Sequence, residues 1–164
     1  MIRFGTATER DVPALARMRT LVADELTRLH GTGHWSHEIT EARVLRAIKT
    51  TRVVVARSGR AIVGTLHLAT KKPWAIDKSY FSPSKRPLYL TDMAVDPKRQ
   101  RTGIGRRLID EAARIARAWP ADAIRLDAYD GPAGAGRFYE RCGLREVGRA
   151  VYRDVPLVYF ELLL

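Results

Sequence analysis

Apolar positions along the chain follow two periods, and the switches between them mark its elements. Residues 1–5 read as a first strand, and Thr8, Glu9, Arg10 and Asp11 with Pro13 read as the entry to a helix, a threonine or aspartate capping its start. Leu15, Met18, Leu21, Val22, Leu26 and Leu29 then fall on one helical face, and His30, Gly31, Thr32 and Gly33 close it. A further helix starts near Ser36 or Thr40 with Val44, Leu45 and Ile48 as its buried stripe, so that the two helices cover one side of a sheet. Residues 52–56 and 61–69 are apolar, β-branched runs joined by Arg57, Ser58, Gly59 and Arg60, which predicts a tight antiparallel hairpin.

Residues 70–87 break the pattern with prolines, Trp74, Tyr80 and Phe81 and no sustained period, which predicts a long structured loop. Leu88, Leu90, Met93 and Val95 then form a strand stopped by Asp96 and Pro97, a pair that starts turns. Ile104, Leu108, Ala112, Ile115, Ala116 and Trp119 recur at helical spacing, giving a helix over 103–118 that ends before Pro120. In 123–129, Ile124, Leu126 and Ala128 alternate against Arg125, Asp127 and Tyr129, a strand with one apolar face. Asp130, Gly131 and Pro132 turn the chain toward a short helix over 137–142 that stops at Gly143. Residues 146–152 and 156–164 alternate as a last hairpin or a pair of crossing strands, and the apolar tail predicts a terminus packed into the sheet.

Composition adds constraints to this outline. The 164 residues suffice for one well-packed core, and no Gly/Ser/Pro-rich linker divides them, so a single domain over 1–164 is expected. Hydrophobic residues at 46% and charged residues at 29% are the balance of a globular chain. No signal-peptide core opens the sequence and no apolar run approaches the roughly 20 residues that cross a bilayer, so no membrane partner is expected. Cys142 is the only cysteine, which excludes an intramolecular disulfide and fits a reducing compartment, the cytoplasm. The net charge of +11 invites a nucleic-acid reading, but Arg and Lys are spread over nearly every segment instead of forming one patch. Nucleic acid is therefore the lesser reading.

The densest basic stretch, 98–107, points to a smaller anion. Arg99, Arg101, Arg106 and Arg107 crowd a helix start whose dipole favours acidic residues, while Gly103 and Gly105 clear side chains from the first-turn N–H groups. The stretch is either a solvated basic turn or a phosphate cradle. Gln100, Arg101, Thr102, Gly103, Ile104 and Gly105 match the Gln/Arg-x-x-Gly-x-Gly/Ala signature of the GNAT superfamily of N-acetyltransferases, with Met93 to Pro97 as its lead-in. A second stretch also resembles that superfamily, Phe138 and Tyr139 followed by Cys142, Gly143 and Leu144. Leu144 stands where the pattern has phenylalanine, and Pro132 where it has an asparagine that bonds the cofactor.

The resemblance implies an α/β (α+β) fold, a mixed, mostly antiparallel central sheet of about six to seven strands flanked by about four helices. It implies acetyl-CoA as co-substrate, without a metal, and an amine as acceptor. The CoA diphosphate would rest on Gln100, Arg101, Thr102, Gly103, Ile104, Gly105 and Arg106, and the pantetheine arm would pair with the backbone around Met93 and Val95. Tyr139 is implied as the acid toward the leaving thiolate, a phenol near pKa 10 being matched to a thiol. Asp92 is either the base toward the amine or the partner of an arginine. Trp35, on the His34–His37 loop, lines an acceptor pocket or tucks between helices, and Trp74 and Tyr80 are pocket residues or loop packing. Two histidines there, with no acidic or thiol partner nearby, make no metal site. A small-molecule amine fits this aromatic inventory. A fold that binds CoA without chemistry is the alternative, and the apolar last strand suggests a homodimer through its sheet edge.

Overall fold

In the computed structural model, which describes residues 1–164, seven strands form a sheet in the order β1-β2-β3-β4-β5-β7-β6. They are β1 Ile2–Thr6, β2 Arg52–Ser58, β3 Ala61–Ala69, β4 Pro87–Val95, β5 Ala123–Tyr129, β6 Arg145–Tyr152 and β7 Val155–Leu163. The α-helices are α1 Val12–His30, α2 Glu41–Thr50, α3 Ile104–Ala118 and α4 Gly136–Arg141. The β1–β2, β2–β3, β5–β7 and β6–β7 pairs are antiparallel and β4–β5 is parallel. This is the mixed, mostly antiparallel α/β architecture expected from the pattern. Contacts concentrate in two units, Met1–Leu68 with Asp92–Glu111, and Ala69–Thr91 with Ala112–Leu164.

In the first unit, Leu15, Ala16 and Met18 of α1 and Val44 of α2 are buried in one core with Val53 and Val55 of β2. Apolar spacing at three and four residues makes each helix one-sided, and burial of that side is what holds it. The choice left open for the start of α2 falls on Thr40, whose hydroxyl accepts from Arg43 N at 3.3 Å. Leu21 and Leu29, expected on the buried face of α1, are 56% and 55% exposed. Leu21 lies off the stripe set by Leu15, Met18 and Val22, and Leu29 is in the last turn, beyond the core. The start of α3 sits close over β3 because residue 64 is glycine: a Cβ there would stand 2.8 Å from Leu108 Cδ1.

In the second unit, β7 lies between β5 and β6, so the terminus is packed into the sheet as expected, and residues 145–163 form a hairpin. The route to a dimer through an apolar terminal edge strand is thereby corrected: the edge belongs to β6. The one-sided reading of β5 is corrected as well. Arg125 is 4% exposed and faces Glu161 of β7, itself 2% exposed, with Nε 3.5 Å from Oε2. Around this pair the 70–86 loop is stapled: Arg125 Nη2 donates to Ser82 O at 2.6 Å, and Ser82 N donates to Glu161 Oε1 at 3.4 Å. Tyr159 Oη donates to Ala75 O at 2.5 Å farther along the same loop.

Candidate active site

The turn between β4 and α3 is shaped by its own side chains. Asp96 accepts from Lys98 N at 2.9 Å, Gln100 Nε2 donates to Val95 O at 3.3 Å, and Thr102 Oγ1 donates to Arg99 O at 2.6 Å. Arg101 and Gly103 both adopt left-handed backbone, φ 62° and 85°. A non-glycine residue in that region is strained, and such strain gathers where backbone donors are aimed at a ligand. The helix then begins with Arg107 N donating to Gly103 O at 3.1 Å, anchored by buried Ile104 and Leu108. Its first turn contains no acidic residue. First-turn N–H groups have no partner within their own helix, so this turn is suited to a phosphate. Arg107 is not part of it: Nη2 donates to Ile2 O at 3.3 Å and the guanidinium stacks 5.2 Å above Phe4.

Asp92, on β4 before Met93, has φ 52°, an outlier inside a strand. Its carboxylate is gripped from two sides. Arg19 Nη2 of α1 donates to Oδ1 at 2.5 Å, and His67 Nδ1 of β3 stands 3.4 Å from Oδ2. Burial pushes the Asp92 carboxyl upward, but hydrogen bonding from His67 and the charges of Arg19 and His67 outweigh it and hold the group well below the usual carboxylate range. So acidic a group is a weak proton acceptor. Of the two readings for Asp92, the partner of an arginine is the one the geometry displays.

A cleft of about 190 Å³ opens beside this cluster. Asp92, Met93 and Ala94 supply its strand side, and Val22, Leu26, Trp35 and Ile39 its apolar wall. Trp35 is held by its own loop, Nε1 donating to Gly31 O at 3.1 Å, while Ser36 Oγ accepts from Gly33 N at 3.0 Å and bonds Thr27 Oγ1 at 2.6 Å. Arg43 and His37 complete the lining, joined by Arg43 Nη1 donating to His37 Nε2 at 3.1 Å.

Tyr139, in α4, is 7% exposed and packs against Phe160, ring centroids 5.8 Å apart. Burial, then the charges of Asp127 and Cys142, pushes its phenol well above the ordinary tyrosine value. The group is therefore held in its protonated form, but as a weaker acid than a free phenol, so it gives up its proton less readily than the expected match to a thiol near pKa 10 implies. Tyr80, half exposed, covers Gly148, where a Cβ would stand 2.1 Å from Tyr80 Cδ1, and meets Tyr159 edge-on at 5.3 Å. Trp74 is 83% exposed.

Three polar residues in or beside the Asp92 cleft, Arg19, His67 and Arg43, have no assigned role in the sequence. Arg19 follows Leu15 by one helical turn, so an arginine inside an apolar stripe was the available signal. His67 gave none beyond being polar within an apolar strand. Arg43 and His37 meet only because the loop and α2 fold back on α1.

The profile described as the Acetyltransferase (GNAT) family matches residues 16–144. Among solved structures, the ribosomal-protein-alanine N-acetyltransferase of Brucella melitensis is 20% identical with TM-score 0.73, covering 100% of this chain and 99% of its own. The PaiA N-acetyltransferase of Thermoplasma acidophilum, solved with coenzyme A, is 13% identical with TM-score 0.73, covering 97% and 98%. The yncA protein of Salmonella typhimurium, solved with acetyl-CoA, is 15% identical with TM-score 0.73, covering 99% and 94%. At such identities the likeness is one of fold. A search of curated protein sequences finds no match.

Proposed function

Since the chain belongs to the Acetyltransferase (GNAT) family, whose activity class is acetyl transfer, we propose that it carries the acetyl group of acetyl-CoA to the amine of a small molecule by direct attack. The observation that carries this reading is the turn at 100–106. Left-handed Arg101 and Gly103 feed a helix whose first turn lacks acidic residues, in the sequence that matches the family signature. The donor set fits the cofactor: backbone N–H groups of Gly103 to Arg106 suit the diphosphate, and the Arg101 and Arg106 side chains add charge-assisted bonds. The backbone at Met93 and Val95 would pair with the cofactor's amide-bearing arm. Bound acetyl-CoA supplies the thioester carbonyl that the amine attacks.

The protein's own groups divide the remaining work. Tyr139, protonated in its buried site, delivers its phenolic proton to the departing sulfur and regains one from solvent, a transfer that its raised pKa makes less favourable than that from a free phenol. Asp92 stays ionised and places a fixed negative charge beside the cleft, where it orients the incoming ammonium, and the amine proton leaves to solvent. Trp35 forms part of the acceptor wall. A single cysteine and the absence of any helix long and apolar enough to cross a membrane support a cytoplasmic setting.

Calorimetric titration with acetyl-CoA and with CoA tests the cofactor, and thiol release in the presence of primary amines tests the reaction. Micromolar binding that Gly103→Val and Gly105→Val abolish, followed by amine-dependent thiol release, is the expected result. A protein that binds neither form of the cofactor is not an acetyltransferase.

A further inference from the structure

We infer that the acceptor is an amino acid or similar amine that carries its own carboxylate on a compact apolar body, with Arg43 as the residue that selects for the acid group. This rests on the acetyltransferase reading and sharpens it. The cleft beside Asp92 is lined by one carboxylate and two guanidinium groups, Arg19 and Arg43. Arg19 is spent on Asp92 at 2.5 Å, with its side chain only 10% exposed. The guanidinium of Arg43 has a different neighbour, Nε2 of His37 at 3.1 Å. An imidazole nitrogen that accepts from an arginine carries no negative charge. His37 therefore holds Arg43 in place without cancelling its charge, and the cleft keeps a net positive charge.

That balance discriminates among amines. A polyamine or a lysine-rich peptide brings several positive charges to a cleft that holds one carboxylate against two guanidinium groups. An amine with a carboxylate meets Arg43, whose planar fork matches a carboxylate, while its ammonium faces Asp92. Between them Val22, Leu26, Trp35 and Ile39 offer an apolar wall, and the bonds within the 31–37 loop hold that wall before any ligand arrives. A pocket with a rigid apolar side and few polar groups is one that fixes orientation as well as affinity.

The test uses matched acceptors that differ only by the carboxylate: leucine against isopentylamine, and phenylalanine against phenethylamine, with acetyl-CoA and with wild-type or Arg43→Met protein. The ratio between variants removes the intrinsic basicity of each amine. We expect Arg43→Met to lower kcat/KM for the amino acids by about five-fold or more, the scale of an exposed charge pair, and to leave the decarboxylated amines within two-fold. Equal losses for both classes, or a wild-type preference for the decarboxylated amines that the variant leaves unchanged, overturn the inference while leaving the acetyltransferase reading in place. A readout without turnover is the shift in unfolding midpoint that each compound causes in CoA-saturated protein. Stabilisation by leucine or phenylalanine that vanishes in Arg43→Met supports the site, and its absence in the wild type counts against it. Failure to bind CoA at all, by contrast, removes the acetyltransferase reading itself.

Discussion

Arg19 and Asp92 join helix α1 to strand β4 through a 2.5 Å contact at a β4 residue whose backbone is left-handed. The ion pair opposes the strain of φ 52° and fixes the strand side of the cleft beside it. Asp92→Asn removes the charge and leaves the largely buried Arg19 guanidinium unbalanced. Because the Asp92 side chain is 36% exposed, the expected loss is about 1–2 kcal/mol, well short of that for a fully buried pair. Urea unfolding at pH 7 measures it.

The same pair sets a pH dependence. The Asp92 carboxyl is lower in the folded than in the unfolded chain, so its contribution to stability is present above the unfolded value, about pH 4, and is lost as pH falls toward the folded value. Below pH 4 the stability of wild type should converge on that of Asp92→Asn. Parallel curves for the two proteins down to pH 2 would show that Asp92 is not the group responsible.

Tyr139 shifts in the opposite sense. Its phenol is raised by burial, then by Asp127 and Cys142, so the stability it contributes is present below the unfolded value, about pH 10, and is lost as pH rises beyond it. Tyr139→Phe should flatten that alkaline decline. In catalysis the same variant should lower kcat by roughly 100-fold or more, the usual scale for a lost general acid, with CoA affinity changed less than two-fold. Loss of both together, or of neither, would falsify its role as proton donor, and retained CoA binding without turnover in the wild type would favour a binding protein.

The buried Arg125–Glu161 pair invites a test by charge removal. Glu161→Gln leaves Arg125, 4% exposed, without its countercharge and loosens the Ser82 staple. A cost of about 3–5 kcal/mol is expected, with faster proteolysis in the 70–86 loop. Replacing both residues by Met and Leu should recover most of that stability, since packed apolar groups substitute for a buried pair. A double variant as unstable as the single one would argue that the pair itself, not its balance, supports the loop.

At Gly103, φ 85° excludes a β-branched side chain on conformational grounds, for a Cβ there meets open space. Gly103→Val should cost about 1–3 kcal/mol in stability and reduce acetyl-CoA affinity by more than the distant Gly59→Ala, which shares the left-handed backbone. Equal CoA affinity in both variants would place the diphosphate elsewhere.

What the sequence displayed and what it hid follow from one physical distinction. Periodicity and punctuation are local, so β4, the turn at Asp96 and Pro97, and α3 were legible almost to the residue. The basic turn was legible too, because its arginines and glycines are consecutive in the chain. The cleft beside Asp92 was legible only in Trp35 and Asp92: Arg19, His67 and Asp92 lie on three elements, and nothing at short range tells an arginine that will be buried against an aspartate from one that will face water. Arg125 failed for the same reason, since its covering partner, Glu161, is supplied by a strand that arrives last in the chain. The apolar last strand suggested an exposed edge, whereas the order β5-β7-β6 inserts it between its neighbours.

The 31–37 loop carries its own fastenings: Trp35 to Gly31, Ser36 to Gly33 and to Thr27 at the end of α1. A segment tied chiefly to itself is exchangeable as a cassette, because replacing it leaves the strand register and the turn at 100–106 untouched. Substitution within the loop can therefore reshape the Trp35 side of the cleft while the sheet that frames its other side stays as it is.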